Sequence, residues 1–189
     1  MAPKLDVDKL KKDLLQELTT SITETLNKAF DKLQEQISNI ETRLDYLEQY
    51  SRRNNLRFYG LQDSTKSTDD LVAEVIRDKM GITFKSDDIE VSHRIGPITD
   101  KPRPIIVRFN SIRTRNNVFA AKSKLKGMPV YISEDLTKAN FNLFWKVRHH
   151  DGVQRAWTNR CKIWALCKGE EKPKHIKNEK DFERLIAEH

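Results

Sequence analysis

No apolar run in this chain approaches the roughly 20 residues that span a bilayer. The opening Met1-Ala2-Pro3-Lys4-Leu5-Asp6 lacks the apolar centre of a secretory signal. Only two cysteines occur, Cys161 and Cys167. Their spacing matches neither a CxxC redox pair nor a common zinc pattern. An even spacing within a strand would put both thiols on one face as a buried pair. These absences predict an intracellular, reduced protein. The usual marks of catalysis are missing as well: there is no glycine-rich phosphate loop, no GxSxG and no HExxH. His149 and His150 are adjacent and point apart, so they make poor joint metal ligands. No enzyme activity, cofactor or metal is expected. Glycine and proline are absent from residues 4–59, so nothing in that stretch interrupts a helix.

What fills the stretch is a seam. Leu26, Leu33, Ile40 and Leu47 recur every seven residues, and Phe30, Ile37 and Leu44 occupy the alternate position. An apolar stripe of period 3.5 cannot bury itself within one helix and calls for partner helices. Upstream, Leu15, Leu18, Ile22 and Leu26 continue it through an eleven-residue step, a stutter that locally relaxes a supercoil. With Leu44 at a and Leu47 at d, Arg43 falls at g and Glu48 at e, where opposite charges pair across the seam. Arg43-Leu44-Asp45-Tyr46-Leu47-Glu48 resembles the Arg-apolar-x-x-apolar-Glu signature of parallel three-stranded coiled coils and favours a trimer over a dimer. Leu26, Phe30, Leu33, Ile37, Ile40, Arg43, Leu44, Leu47 and Glu48 are the expected oligomerisation residues.

Charge divides the chain at the end of this rod. Residues 1–51 hold 7 Lys/Arg against 10 Asp/Glu, whereas residues 52–189 hold 28 against 18. A basic globular part on a mildly acidic rod points to a polyanion, most simply nucleic acid. The periodicity then changes. Leu56 to Gly60 reads as a strand, Ser67 caps a helix over 68–80, and Ile89 to Arg94 alternates as a strand. A proline-stiffened loop with Lys101 and Arg103 leads to the strand Pro104 to Phe109. Ser111 caps a helix to Lys126, and Pro129 to Ile132 closes the series. This β-α-β-β-α-β order predicts a ferredoxin-like arrangement, RRM-like in its topology. Beyond it, a small α+β unit follows: a helix capped by Thr137 carries Phe141, Phe144, Trp145 and Arg148. Strands centre on Arg155-Ala156-Trp157, Cys161 to Cys167 and His175-Ile176-Lys177, and Asp181 to His189 returns to helix. The fold class is α+β in three parts: a coiled coil (4–52), an RRM-like domain (53–133) and a C-terminal domain (134–189). No flexible linker marks 133–137, so the last two should pack together.

Strand alternation assigns faces. Leu56 and Phe58 should face the helices, with Arg57 and Tyr59 opposite. In the second strand Ile89, Val91 and His93 should face in, with Glu90, Ser92 and Arg94 out. In the third, Ile105, Val107 and Phe109 face in, with Ile106 and Arg108 out. Arg57, Tyr59, Arg94 and Arg108 would then share one open face, suited to gripping phosphates and stacking on bases. On this parity Arg57 is free, so its removal should weaken binding with little effect on stability. The third strand lacks the Lys/Arg-Gly-aromatic pattern of the common RNA-recognition sheet, so phosphate contacts should carry more of the affinity. Lys101, Arg103, Lys122 and Lys124 are further clamps. Arg148 and Arg155 add charge in the last unit, where Trp157 is equally suited to stacking on a base or to a core. Glu134-Asp135 reads as part of the loop before the Thr137 cap.

Tyr46-Leu47-Glu48-Gln49-Tyr50-Ser51-Arg52-Arg53-Asn54-Asn55-Leu56-Arg57 resembles the coiled-coil exit of the first open-reading-frame protein of LINE retrotransposons. Pro102 to Phe109 is similar to that family's third strand, and Leu125-Lys126-Gly127 with Ile132 to Thr137 to its domain junction. The resemblance covers about 40–189. It implies a trimeric coiled coil, a non-standard RNA-recognition domain and a family-specific C-terminal domain. It further implies a homo-oligomer that binds single-stranded RNA and DNA, coats its element's RNA in cytoplasmic ribonucleoprotein particles, with the nucleus a second location, and acts as a nucleic-acid chaperone. By motif position, Asn55 and Arg57 correspond to RNA-contacting residues at the start of the family's first strand, and Arg53 just before them is a further candidate. Arg103 lies in its basic loop, and Trp157 near the RNA groove of its last domain. The short rod and the lack of a long basic tail depart from the mammalian pattern. A domesticated host gene or a viral relative would share these features. The alternative from another class is a coiled-coil scaffold whose globular end binds protein.

Overall fold

The computed structural model describes residues 7–187. Residues 4–6 of the expected rod and 188–189 of the expected last helix lie outside them. The chain is mixed α+β and divides into two compact units, one ending at Tyr46 and the other beginning at Leu47.

The first unit is helix. Helix α1 runs Val7–Ser51 without interruption. It persists through the threonine-rich stutter because the side chains join the helix rather than compete with it. The Thr19, Thr20, Thr23 and Thr25 hydroxyls donate to carbonyls four residues back, a pattern that slightly bends helices. No residue of α1 is buried, and the seam from Leu26 to Leu47 lies more than half exposed.

The second unit holds two antiparallel sheets. Strand β1 (Asn55–Tyr59) is followed by α2 (Thr68–Glu74), β2 (Ile89–Arg94), β3 (Ile105–Phe109), α3 (Ile112–Ala120) and β4 (Tyr131–Glu134). The four strands are ordered β2-β3-β1-β4. Ser67 caps α2, its hydroxyl accepting from the Asp70 amide at 3.1 Å. The helix loosens into a π turn, Val75–Lys79, before Gly81 ends it at φ +62. Both helices lie on one face of the sheet. Val72, Ile76, Val118 and Phe119 cluster there with Leu56, Phe58, Ile105, Val107 and Phe109, each large side chain contributing about 1.5–3 kcal/mol by its burial. Helix α3 stops at Ala120, earlier than expected, and a 3-10 turn carries Ala121–Leu125. Strand β4 starts two residues later than expected. The Pro129 carbonyl abuts Gly60, where any Cβ would meet it at 2.0 Å, and a proline has no N–H to give a ladder.

The second sheet, ordered β5-β6-β7, comprises Val153–Asn159, Lys162–Cys167 and Lys174–Ile176. Helices α4 (Lys138–Arg148) and α5 (Glu179–Ala187) supply Leu143, Val147, Phe182 and Leu185 to its core. The expected cysteine pair does not form a common face. Cys167 is buried in this core, but Cys161 sits with Arg160 in the two-residue turn between β5 and β6, both at positive φ (59 and 53), the backbone of a tight hairpin.

Candidate nucleic-acid interface

Alternation holds in β1 and β3 and fails in β2. Leu56 and Phe58 are fully buried, while Arg57 and Tyr59 lie on the opposite face, away from α2 and α3. Arg108 is on that face too, exposed, with its Nε 2.8 Å from the Glu90 carboxylate. In β2 a bulge falls between Ile89 and Val91, so Val91 pairs with Arg108 and His93 with Ile106. One extra residue reverses every later side chain. Val91 and His93 therefore share the open face, and Ser92 turns to the helices, bonded to Thr68 at 2.7 Å and to Asp69. Arg94 leaves the expected set of three arginines. It donates to the carbonyls of Leu61, Gln62 and Arg103 and pairs with Asp63, which makes it the lock of two loops rather than a phosphate clamp.

The open face gains an aromatic in exchange. Tyr131 of β4 stands opposite Tyr59 of β1, and the two rings stack at 4.5 Å, 1° from parallel. The alternation of Tyr131 against Ile132 contained this signal, and starting the strand at Pro129 obscured it. The low aromatic content of the third strand is thus offset on the first and fourth.

Beside this pair lies a cleft of about 380 Å³. Arg57, Tyr59 and Ser133 line it from the first sheet, Arg52 from the turn after α1, Lys138, Phe141 and Phe144 from α4, and Thr158 from β5. Its cations are organised by Asp135, whose side chain is 1% exposed. Arg57 Nε donates to Asp135 Oδ1 at 2.7 Å, Asn55 to Oδ2 at 2.9 Å, and Arg52 to Oδ1 at 3.3 Å. Burial alone would disfavour the Arg57 cation, but Asp135, with Tyr59 adding to it, more than offsets this and raises the pKa above its usual value. Arg57 is therefore not the free side chain that parity implied. Gln49 completes the joint, donating to the Asp135 carbonyl and accepting from the Thr137 amide, each at 3.0 Å. Glu134-Asp135 is not a loop pair. Glu134 ends β4 with its carboxylate buried against Arg115 at 2.6 Å and accepts the Cys161 amide at 2.9 Å. That contact ties the β5–β6 turn to the first sheet. Burial, then the Glu134 charge, pushes the Cys161 thiol up to about 12.

The remaining candidates scatter. Arg53 is exposed and lies 3.8 Å over the Tyr50 ring. Lys101 is exposed in its loop, and Arg103 is half-buried there. Lys124 is committed to the Met80 carbonyl at 2.7 Å, and Lys122 rests 3.7 Å over Phe119, where burial lowers its pKa. On the outer face of the second sheet, Arg155 lies 4.7 Å over Trp157. Trp157 faces Trp164 across the strands, and Trp164 stacks on His175 at 5.1 Å. Trp157 therefore belongs to a half-buried aromatic band outside the core. Trp164 and His175 were not anticipated, although alternation with the buried Ile163 and Ile176 would have pointed to them. Arg148 is exposed on α4. No family model matches the chain.

Proposed function

We propose that the chain is a non-enzymatic protein that binds single-stranded RNA and DNA, assembled as a parallel trimer through α1. The observation that carries this reading is the cleft: two arginines held side by side next to a stacked tyrosine pair. Guanidinium groups bind phosphates in bidentate fashion, and stacking needs bases that are not already paired. Strand order β2-β3-β1-β4 with two helices on one face supports reading the first sheet as RRM-like. The exposed seam supports the coiled coil, because Leu26 to Leu47 stay in water in a single chain. The resemblance to the LINE first-reading-frame proteins adds a role as the chaperone and coat of a retrotransposon RNA.

Titration with salt tests the reading. Affinity for an unstructured strand should fall with log salt at a slope of about −0.7 per phosphate contacted. Affinity for duplex should be lower at every salt concentration. Negligible affinity for any nucleic acid, with a protein captured instead, would favour the scaffold alternative.

A further inference from the structure

Helix α4 carries more than its core requires. Leu143 and Val147 are its buried stripe. Around from them, Lys138, Phe141, Trp145 and Arg148 succeed one another at spacings of three and four, and His149, at the C-cap, lies four beyond Trp145, which places them along one side of the helix. All five are exposed, Phe141 at 54% and Trp145 at 55%. Large aromatics so open to water contribute little to either core. His149 fixes one of them. Its Nδ1 lies 2.8 Å from the Trp145 carbonyl, which can only accept, so Nδ1 carries the proton. The imidazole then lies 4.4 Å from the indole, tilted by 32°.

The charge along the same helix is of one sign. From Lys138 to Arg148 there are three cations and no carboxylate. Lys146 is paired with Glu179 at 2.7 Å, which leaves Lys138 and Arg148 to meet an anion. Phe141 and Lys138 already line the cleft, and Trp145 follows one turn later, about 6 Å along the axis.

We propose that the single strand held in the cleft continues onto α4, where Phe141 and Trp145 act as successive stacking platforms for unpaired bases and Lys138 and Arg148 meet the flanking phosphates. This rests on the cleft being a nucleic-acid site and adds its exit path. Continuity with the cleft and the absence of carboxylates along the helix select this occupant over an apolar protein surface. The stripe also gives a means of discrimination, since bases inside a duplex have no free face to offer Trp145.

The test uses the full chain and two fluorescent strands of equal length, one ordinary and one abasic over its central nucleotides. Trp145→Ala should weaken binding of the ordinary strand by about five- to a hundred-fold. Trp145→Phe should keep most of the affinity, and neither change should alter binding of the abasic strand. Arg57→Ala should weaken both strands, because its contact is to phosphate. The proposal is overturned if Trp145→Ala binds the ordinary strand as wild type does, or loses equally on both strands. It is also overturned if that variant changes only the sedimenting mass, which would mean that a second protein surface covers the helix. Failure of the wild type to bind either strand would instead remove the reading of the cleft itself, and this path with it. An unchanged melting temperature of Trp145→Ala guards against misfolding as the cause.

Discussion

Arg57 and Asp135 form an ion pair across the edge of the cleft, Nε to Oδ1 at 2.7 Å, with the carboxylate sealed from water and the guanidinium partly open to it. One face of the arginine is thus held by the protein while the other remains available to a ligand. Held rotamers lose less entropy on binding a phosphate. The buried carboxylate also depends on its three donors, since an ionised oxygen without partners is costly in a low-dielectric site.

Arg57→Ala should therefore weaken single-strand binding and lower stability together. Hydrogen bonds to a charged group contribute about 1.5–3 kcal/mol. Arg52 and Asn55 still reach Asp135, so the loss should fall within that range rather than beyond it. Urea denaturation checks the stability and strand titration the affinity. An unchanged midpoint would mean that Asp135 does not need this partner.

Arg115 and Glu134 are more deeply buried, at 1% and 0% side-chain exposure. Removing one partner of such a pair costs about 3–5 kcal/mol, whereas replacing both by apolar residues is often near neutral. Glu134→Leu should accordingly be far less stable than Glu134→Leu combined with Arg115→Met. The same variant frees the Cys161 amide, so the β5–β6 turn should lose its amide-exchange protection first.

His175 should titrate below the usual histidine value near 6.5. Its burial lowers the pKa, and Lys162 and Lys177 lower it further. The fold therefore prefers the neutral ring. The stability that ring contributes is complete above the ordinary value and is lost as pH falls through the depressed one. Imidazole resonances followed by NMR would give the midpoint, and His175→Gln should flatten the part of the stability profile that lies below pH 6.5.

The fold was legible where alternation and caps act locally. The unbroken helix α1, the Ser67, Ser111 and Thr137 caps and the faces of β1 and β3 all follow from short-range pattern. The β2 bulge was not legible, because nothing in Ile89-Glu90-Val91 differs from a regular strand. Its cost was Arg94, moved from the expected open face to the loops. The Asp135 hub was hidden for another reason. Its partners Arg52, Asn55 and Arg57 lie about 80 residues away in sequence, and a buried acid beside a helix cap looks like any loop acid until its neighbours are known.

Assembly should be broken by charge in the seam. In the proposed coiled coil Ile37 and Leu44 occupy a positions, and Ile37→Asp with Leu44→Asp would place carboxylates where its apolar knobs would pack. Both residues are exposed in the isolated helix, so the substitutions should leave the second unit folded. Sedimentation equilibrium should give three times the chain mass for wild type and the chain mass for the variant. A monomeric wild type at micromolar concentration would refute the trimer.

Removing the rod should cost affinity in proportion to strand length. In the proposed trimer, three modules joined at one end would bind a long strand at raised effective concentration, worth about 10²–10⁴ in avidity where geometry permits. The place of the cut decides whether the experiment is clean. Gln49 holds both Asp135 and Thr137, and Arg52 reaches Asp135 and the Leu136 carbonyl, so a fragment begun at Arg53 removes part of the cleft along with the rod. One begun at Leu47, where the second unit begins, keeps these contacts. The Leu47 fragment should match the full chain on a strand too short for two modules and bind a long strand far more weakly. The Arg53 fragment should lose affinity on both. Equal losses by the Leu47 fragment on short and long strands would show that the rod touches the nucleic acid directly, and multivalency would not explain its effect.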